Sequence, residues 1–221
     1  MKLSEMLIKF RLLAQKMEMQ TVLYILDEEI VELFNITIPE YARDIFSRKR
    51  NRELNGVSDN VVRLAELQPL YTNSIIHVTN KGQQFFGEGY DIVIPDNLMF
   101  VLNINLKFSD NSISDCRLLD IEQVINTIKD YHSKPTKESP ICYINGNNVE
   151  VITGTNANSA EDVLISYIKK PIKLDINNPD VGCELPDFAV EDIIKRSVNL
   201  YNAASDNNSY EKVAIETQKL E

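Results

Sequence analysis

The sequence predicts an α+β protein in which helices flank a mostly β middle, and three observations predict it. Apolar residues recur at three- and four-residue spacing through residues 1–70; they alternate in short runs from 71 to 180; helical spacing returns after 181. The expected organisation is an N-terminal helical region (1–70), a mostly antiparallel β region holding one helix (71–180), and a C-terminal helix with an extended polar tail (181–221).

Leu3, Met6, Phe10, Leu13 and Met17 form one stripe, so the chain should open with a helix. A second helix should begin at Asp27, whose carboxylate can cap the first turn, with Glu28 and Glu29 at the positive helix end. Its apolar face is Ile30, Phe34, Ile38, Tyr41 and Ile45, and Pro39 should kink or split it, because proline lacks the amide donor. Arg48-Lys49-Arg50-Asn51-Arg52 close the stretch before Asn55-Gly56, and a shorter helix should start near Ser58 and stop before Pro69.

Ser74–Thr79 is short and β-branched. Leu98–Phe108 alternates, with Leu102, Ile104, Leu106 and Phe108 on one face and polar residues on the other, as in a half-buried strand. Asp120–Tyr131 reverts to helical spacing through Ile121, Val124, Ile125 and Ile128. Asn145-Gly146-Asn147-Asn148 between two apolar runs is the best hairpin signal, since Asn and Gly tolerate positive φ. Val163, Ile165 and Tyr167 alternate again, and Val190, Ile194, Val198 and Tyr201 mark a helix from about Asp187 to Ala204.

The 221 residues carry 23 basic and 33 acidic side chains, a formal net charge of −10. Residues 1–70 hold 10 basic and 11 acidic groups, so nearly all the excess lies beyond residue 70. A surface this acidic repels duplex DNA. No apolar run reaches the roughly 18 residues that a membrane span needs, so no membrane role is expected. Lys9 and Arg11 interrupt any secretory apolar stretch near the start. Cys116, Cys142 and Cys183 form no short-spaced pair, which points to reduced thiols in a protein made in cytoplasm.

Catalysis finds little support in the sequence. His77 and His132 have no ligand-spaced partners, so no metal is expected, and no cofactor motif appears. Cys116 and Cys142 read as packing residues, because a nucleophilic thiol needs a base and an electropositive setting. Gly87-Glu88-Gly89 lacks the third glycine of a dinucleotide loop and reads as a turn. The carboxylate pairs Asp27/Glu28/Glu29 and Glu191/Asp192 fall at helix starts, where the helix dipole explains them. The basic run Arg48, Lys49, Arg50 and Arg52 suits a helix C-terminus, contact with an acidic partner, or phosphate contact.

Three stretches resemble the neck ring (head–tail connector or adaptor) proteins of crAss-like tailed bacteriophages of Bacteroides. They are Leu26–Asn35 with its helix running on to Leu67; Leu119–Ile125 followed by Lys134-Pro135, Ser139-Pro140 and the hairpin; and Leu164-Ile165-Ser166-Tyr167-Ile168-Lys169-Lys170-Pro171 with Cys183-Glu184-Leu185-Pro186. The third is the most specific, being similar to that family's Y-I-[KR]-K-P … C-E-L-P-[ED] passage. The resemblance implies a non-enzymatic virion protein, made in the bacterial host and assembled as a homo-oligomeric, twelve-fold ring between portal and tail. Its partners would be the portal and other neck and tail proteins, and genomic DNA would pass an acidic lumen without sticking. Arg48, Lys49, Arg50, Arg52, Lys169 and Lys170 would meet a partner or DNA. Tyr210, Val213, Ile215 and Leu220 of the polar tail would order against a neighbour. The alternatives are a phage binding or regulatory module, or a small phage hydrolase.

Overall fold

A computed structural model describes residues 1–16, 25–53, 65–78, 81–84, 86–154 and 160–205. The fold is α+β, and its described residues divide into two units. One joins Met1–Leu70 to the segment from Pro171 onward; the other is Tyr71–Lys170.

The helical unit contains α1 (Leu3–Lys16), α2 (Asp27–Glu53), helical residues 65–67 with a 3₁₀ turn at Gln68–Leu70, and, from the far end of the chain, α4 (Asp187–Ser205). Both α1 and α2 pack on α4. Their apolar stripes are buried as the spacing requires: Leu3, Met6 and Phe10; Ile30, Phe34 and Ile38; Val190, Ile194 and Val198. The Phe10 and Phe34 rings meet edge-to-face at 5.9 Å. Each such side chain contributes about 1.5–3 kcal/mol on burial. Thr37 and Ser197 sit within this apolar seam with their hydroxyl oxygens 2.7 Å apart. Each also lies 2.9 Å from a carbonyl of its own helix, Leu33 for Thr37 and Ile193 for Ser197. Each hydroxyl has one proton, so one donates across the seam and the other donates backward along its helix.

The helix α2 runs unbroken across Pro39, where a kink or split was expected. The roughly 3 kcal/mol cost of an internal proline is outweighed by the buried face on both sides of it, Ile30, Phe34, Ile38, Tyr41 and Ile45. Asp27 opens the helix as expected, but its carboxylate accepts from Arg11 Nη2 at 2.6 Å. The two units divide after Leu70 and again at 170/171. Residues 171–180 belong with the helices because Asn35 grips Leu174 twice: Nδ2 donates to its carbonyl at 3.1 Å, and Oδ1 accepts its amide at 2.8 Å.

The second unit is a sandwich of two sheets. Its strands are β1 (Tyr71–His77), β2 (Lys81–Gln84), β3 (Gly87–Val93), β4 (Leu98–Phe108), β5 (Ile113–Asp115), β6 (Arg117–Leu118), β7 (Ile141–Asn145), β8 (Asn148–Ile152) and β9 (Ala160–Lys169). One sheet has the order β1-β9-β4-β5, the other β2-β3-β8-β7-β6, and only β6 with β7 is parallel. Ile104, Leu106 and Phe108 of β4 and Val163, Ile165 and Tyr167 of β9 pack against Tyr90, Ile92, Cys142, Val149 and Val151 of the other sheet. A hydrogen bond crosses the sandwich, from the Ala160 amide to the Tyr90 hydroxyl at 2.8 Å.

The helix α3 (Ile121–Lys129) lies on the outer face of the second sheet, with Val124 against Ile141, Tyr143 and Ile152. Only Val124 and Ile128 of its predicted face turn inward; Ile121 and Ile125 are exposed. The β7–β8 hairpin turns at Gly146, whose φ is +61°. Asn145 needs no positive φ; it ends β7 and sends its side chain to Glu150. Gly87-Glu88-Gly89 is not a turn but the start of β3, because Gly89 lets the β8 backbone come close.

Candidate functional site

The histidines and cysteines weighed for chemistry make local contacts. Among the described residues no three His, Cys, Asp or Glu side chains converge as a metal site, and no helix is long and apolar enough to cross a membrane. His77 faces Asp162 across the β1–β9 ladder, its Nδ1 against the carboxylate. The His132 ring stands edge-on to Tyr131 at 5.4 Å. Cys116 and Cys142 are buried together, and the hydrogen bond with Cys142, then burial, pushes the Cys116 thiol far up. A thiol so placed stays protonated and is no nucleophile.

A polar cluster that pattern reading missed lies on the outer face of the second sheet. Glu150 and Tyr143 are direct cross-strand partners, and the Tyr143 hydroxyl donates to one Glu150 oxygen while Asn145 Nδ2 donates to the other at 2.8 Å. Burial, then the carboxylate, raises the Tyr143 phenol above its ordinary range. Both carboxylate oxygens are therefore occupied by neutral donors. The cluster fixes the Glu150 side chain against the sheet through two neutral donors. Strand alternation in Tyr143-Ile144-Asn145 places Tyr143 and Asn145 on one face, but their convergence on Glu150 depends on the hairpin register.

The basic run Arg48, Lys49, Arg50 and Arg52 occupies the end of α2, where cations meet the negative helix end; their side chains lie outside the described ones. Lys169 ends β9. Lys170 is engaged locally, its Nζ donating to the Asp96 carbonyl at 3.0 Å and its amide to Asn97 at 2.7 Å. Tyr210, Val213, Ile215 and Leu220 lie outside the described residues, as does the predicted helix start near Ser58.

What the molecule does present is apolar surface. On α1, Ile8 and Leu12 are 60% and 54% exposed, one turn apart. Beside them an open groove of about 370 Å³ runs between α1 and α4, lined by Lys9, Leu12, Leu13, Glu191, Ile194 and Lys195. Lys9 and Glu191 pair across it at 2.8 Å, so Glu191 holds two helices together instead of capping one. On α3, Ile121 and Ile125 are 52% and 44% exposed, again one turn apart. On β1, Ile75 is 66% exposed. No protein-family model matches the chain, and no curated protein matches it significantly.

Proposed function

We propose that this chain is a non-enzymatic structural subunit that assembles with copies of itself into a ring in the neck of a tailed bacteriophage, between portal and tail. The observation that carries the assembly part is the pair of exposed apolar stripes, Ile8 with Leu12 on α1 and Ile121 with Ile125 on α3, one on each unit. A chain that leaves i,i+4 apolar pairs outside its core on both units is built to bury them against other subunits. Head-to-tail contacts of this heterologous kind close into rings when the rotation permits. The neck placement and the twelve-fold symmetry rest on the segment resemblance at Leu26–Leu67, Leu119–Pro140 and Leu164–Pro186. The net charge of −10 supports a lumen that DNA passes without adhering.

Two measurements test this reading. Mass spectrometry of purified particles from the source should detect this polypeptide alongside portal protein, and light scattering of the purified chain with portal should show about twelve copies, about 300 kDa from a 25.3 kDa subunit, added to the mass of the portal. Particles free of the polypeptide, or a chain that stays monomeric with portal present, would overturn it. Deleting Tyr210–Glu221 should leave the melting temperature unchanged and reduce assembly; a large loss of thermal stability in the isolated truncated chain would contradict the assigned role of the tail.

A further inference from the structure

The edge of the first sheet carries an inference that deepens the ring reading and rests on it. β1 is the terminal strand in the order β1-β9-β4-β5. In an antiparallel ladder, directly opposed residues alternate between pairs that exchange hydrogen bonds and pairs that do not. The Val78 amide donates to the Glu161 carbonyl at 2.9 Å, and the register continues as Ile76↔Val163, Ser74↔Ile165 and Thr72↔Tyr167. Those residues point their amides and carbonyls at β9. The intervening Tyr71, Asn73, Ile75 and His77 therefore aim theirs outward, and no other described strand lies there.

This edge lacks the usual protections. Its seven residues, Tyr71–His77, include no proline, lysine, arginine or carboxylate. Ile75 sits in the middle, 66% exposed, in the row Ile75–Leu164–Asn105 on the sheet's outer face. Natural edges are normally blocked by charge, proline, a bulge or a covering segment. An open, uncharged, seven-residue edge is a template for strand addition.

The described chain ends at Ser205 and sixteen residues follow. Asp206-Asn207-Asn208-Ser209 is a polar spacer, and beyond it Val213, Ile215 and Thr217 alternate with Lys212, Ala214 and Glu216, a period-two pattern. We propose that the segment Glu211–Lys219 of one copy adds as an antiparallel strand to the β1 edge of a neighbouring copy, with Ile215 opposite Ile75. That register sets Thr217 against Asn73 and Val213 against His77 on the outer face. On the inner face it sets Ala214 against Ile76, Glu216 against Ser74 and Gln218 against Thr72. Ile215 thus meets Ile75 and Ala214 meets Ile76, polar meets polar at Thr217/Asn73, Glu216/Ser74 and Gln218/Thr72, Val213 against His77 is the one unlike pair, and the four outward amides of β1 gain acceptors. Sixteen residues span up to about 55 Å when extended, which leaves length for a spacer between subunits.

The test is disulfide trapping in the full chain. Ile75→Cys combined with Ile215→Cys should give, on oxidation, a ladder of covalent oligomers on a non-reducing gel that collapses on reduction. Ile75→Cys with Ala214→Cys, whose thiols would face opposite sides, should give at least tenfold less, and neither single variant should ladder. A cross-link confined to one chain would overturn the neighbour assignment in favour of the chain's own tail. Dimers from Ile75→Cys alone would mean edge-to-edge pairing of two β1 strands and would also overturn it. If light scattering shows oligomers but no trapping occurs, strand addition is wrong while the ring reading stands. A chain that neither oligomerises nor enters particles removes both.

Discussion

Gly89→Ala isolates the contribution of one backbone approach to the sandwich. A Cβ built on Gly89 would lie 1.9 Å from the Val151 carbonyl oxygen and 2.9 Å from its carbon. Both atoms are backbone of β8, so no side chain can rotate away. Restoring even 3.0 Å requires β3 and β8 to part locally by about 1 Å, which removes the hydrogen bonds around Gly89↔Ile152 and Tyr90↔Val151. Losing one or two such bonds costs about 0.5–1.5 kcal/mol each, and the overpacking costs about 1–3 kcal/mol more. The expected destabilisation is about 1.5–6 kcal/mol.

Gly146→Ala provides the contrast. At Gly146 nothing lies within 4 Å of an added Cβ, but φ is +61°, so the cost is left-handed backbone strain of about 1–2 kcal/mol. The assay is urea denaturation followed by tyrosine fluorescence, since the chain holds 9 tyrosines and no tryptophan. Gly89→Ala should lower the midpoint of the sandwich transition more than Gly146→Ala does. An unchanged midpoint for Gly89→Ala, or the reverse ranking, would refute the argument from steric approach.

Three further outcomes follow from the same geometry. In a double-mutant cycle, Thr37→Val and Ser197→Ala should couple by about 0.5–1.5 kcal/mol, because they share one hydrogen bond in an apolar seam; additive effects would mean the 2.7 Å contact contributes nothing. With a thiol-specific aromatic disulfide reagent at neutral pH, Cys116 and Cys142 should stay unreactive until urea unfolds the sandwich, and rapid native labelling of either would contradict their burial. Acid should destabilise the fold. Asp110, bonded to Lys137 and Ser112, Asp130, bonded to Ser133 and the His132 amide, and Asp180, bonded to Lys2, all have carboxyls held below the ordinary 3.8. Depressed folded values mean that their stabilisation is present above about pH 4 and is lost as pH falls through the folded values. The melting temperature should drop between about pH 5 and 2, less steeply in Asp180→Asn, and a flat profile would count against these pairings.

Elements with strong periodicity were legible because period alone fixes them. Leu98–Phe108 forms the strand that its alternation predicts, with Ile104, Leu106 and Phe108 buried, but a bulge between Val101 and Asn103 brings Val101 instead of Leu102 to the core; Ile30, Phe34 and Ile38 are buried as their spacing requires. Cys116 and Cys142 are buried, as their reading as packing residues implies. What pattern reading missed depends on distant partners. Pro39 sits inside an unbroken helix because α4, some 150 residues later, covers its flanks. Gly87 and Gly89 looked like a turn because a sequence does not display the β8 backbone lying against them. The sandwich itself was read as a single half-wet sheet, since alternation reports that one face is buried without saying whether helix or sheet covers it. The same gap hid the open edge of β1: strand order decides which strand is last, and no local signal encodes it.

The order of the units along the chain bears on how such a subunit matures. The sandwich closes within 100 consecutive residues, Tyr71–Lys170, so every partner it needs is made in one stretch. The helical unit cannot close early. Thr37 meets Ser197, Asp44 meets Arg196 at 2.6 Å, and Asn35 meets Leu174, each pair separated by about 140–160 residues. Until α4 arrives, α1 and α2 expose the stripes Leu3, Met6, Phe10 and Ile30, Phe34, Ile38, and isolated helices of this length are marginal in water. The helical unit is therefore completed only when α4 is present.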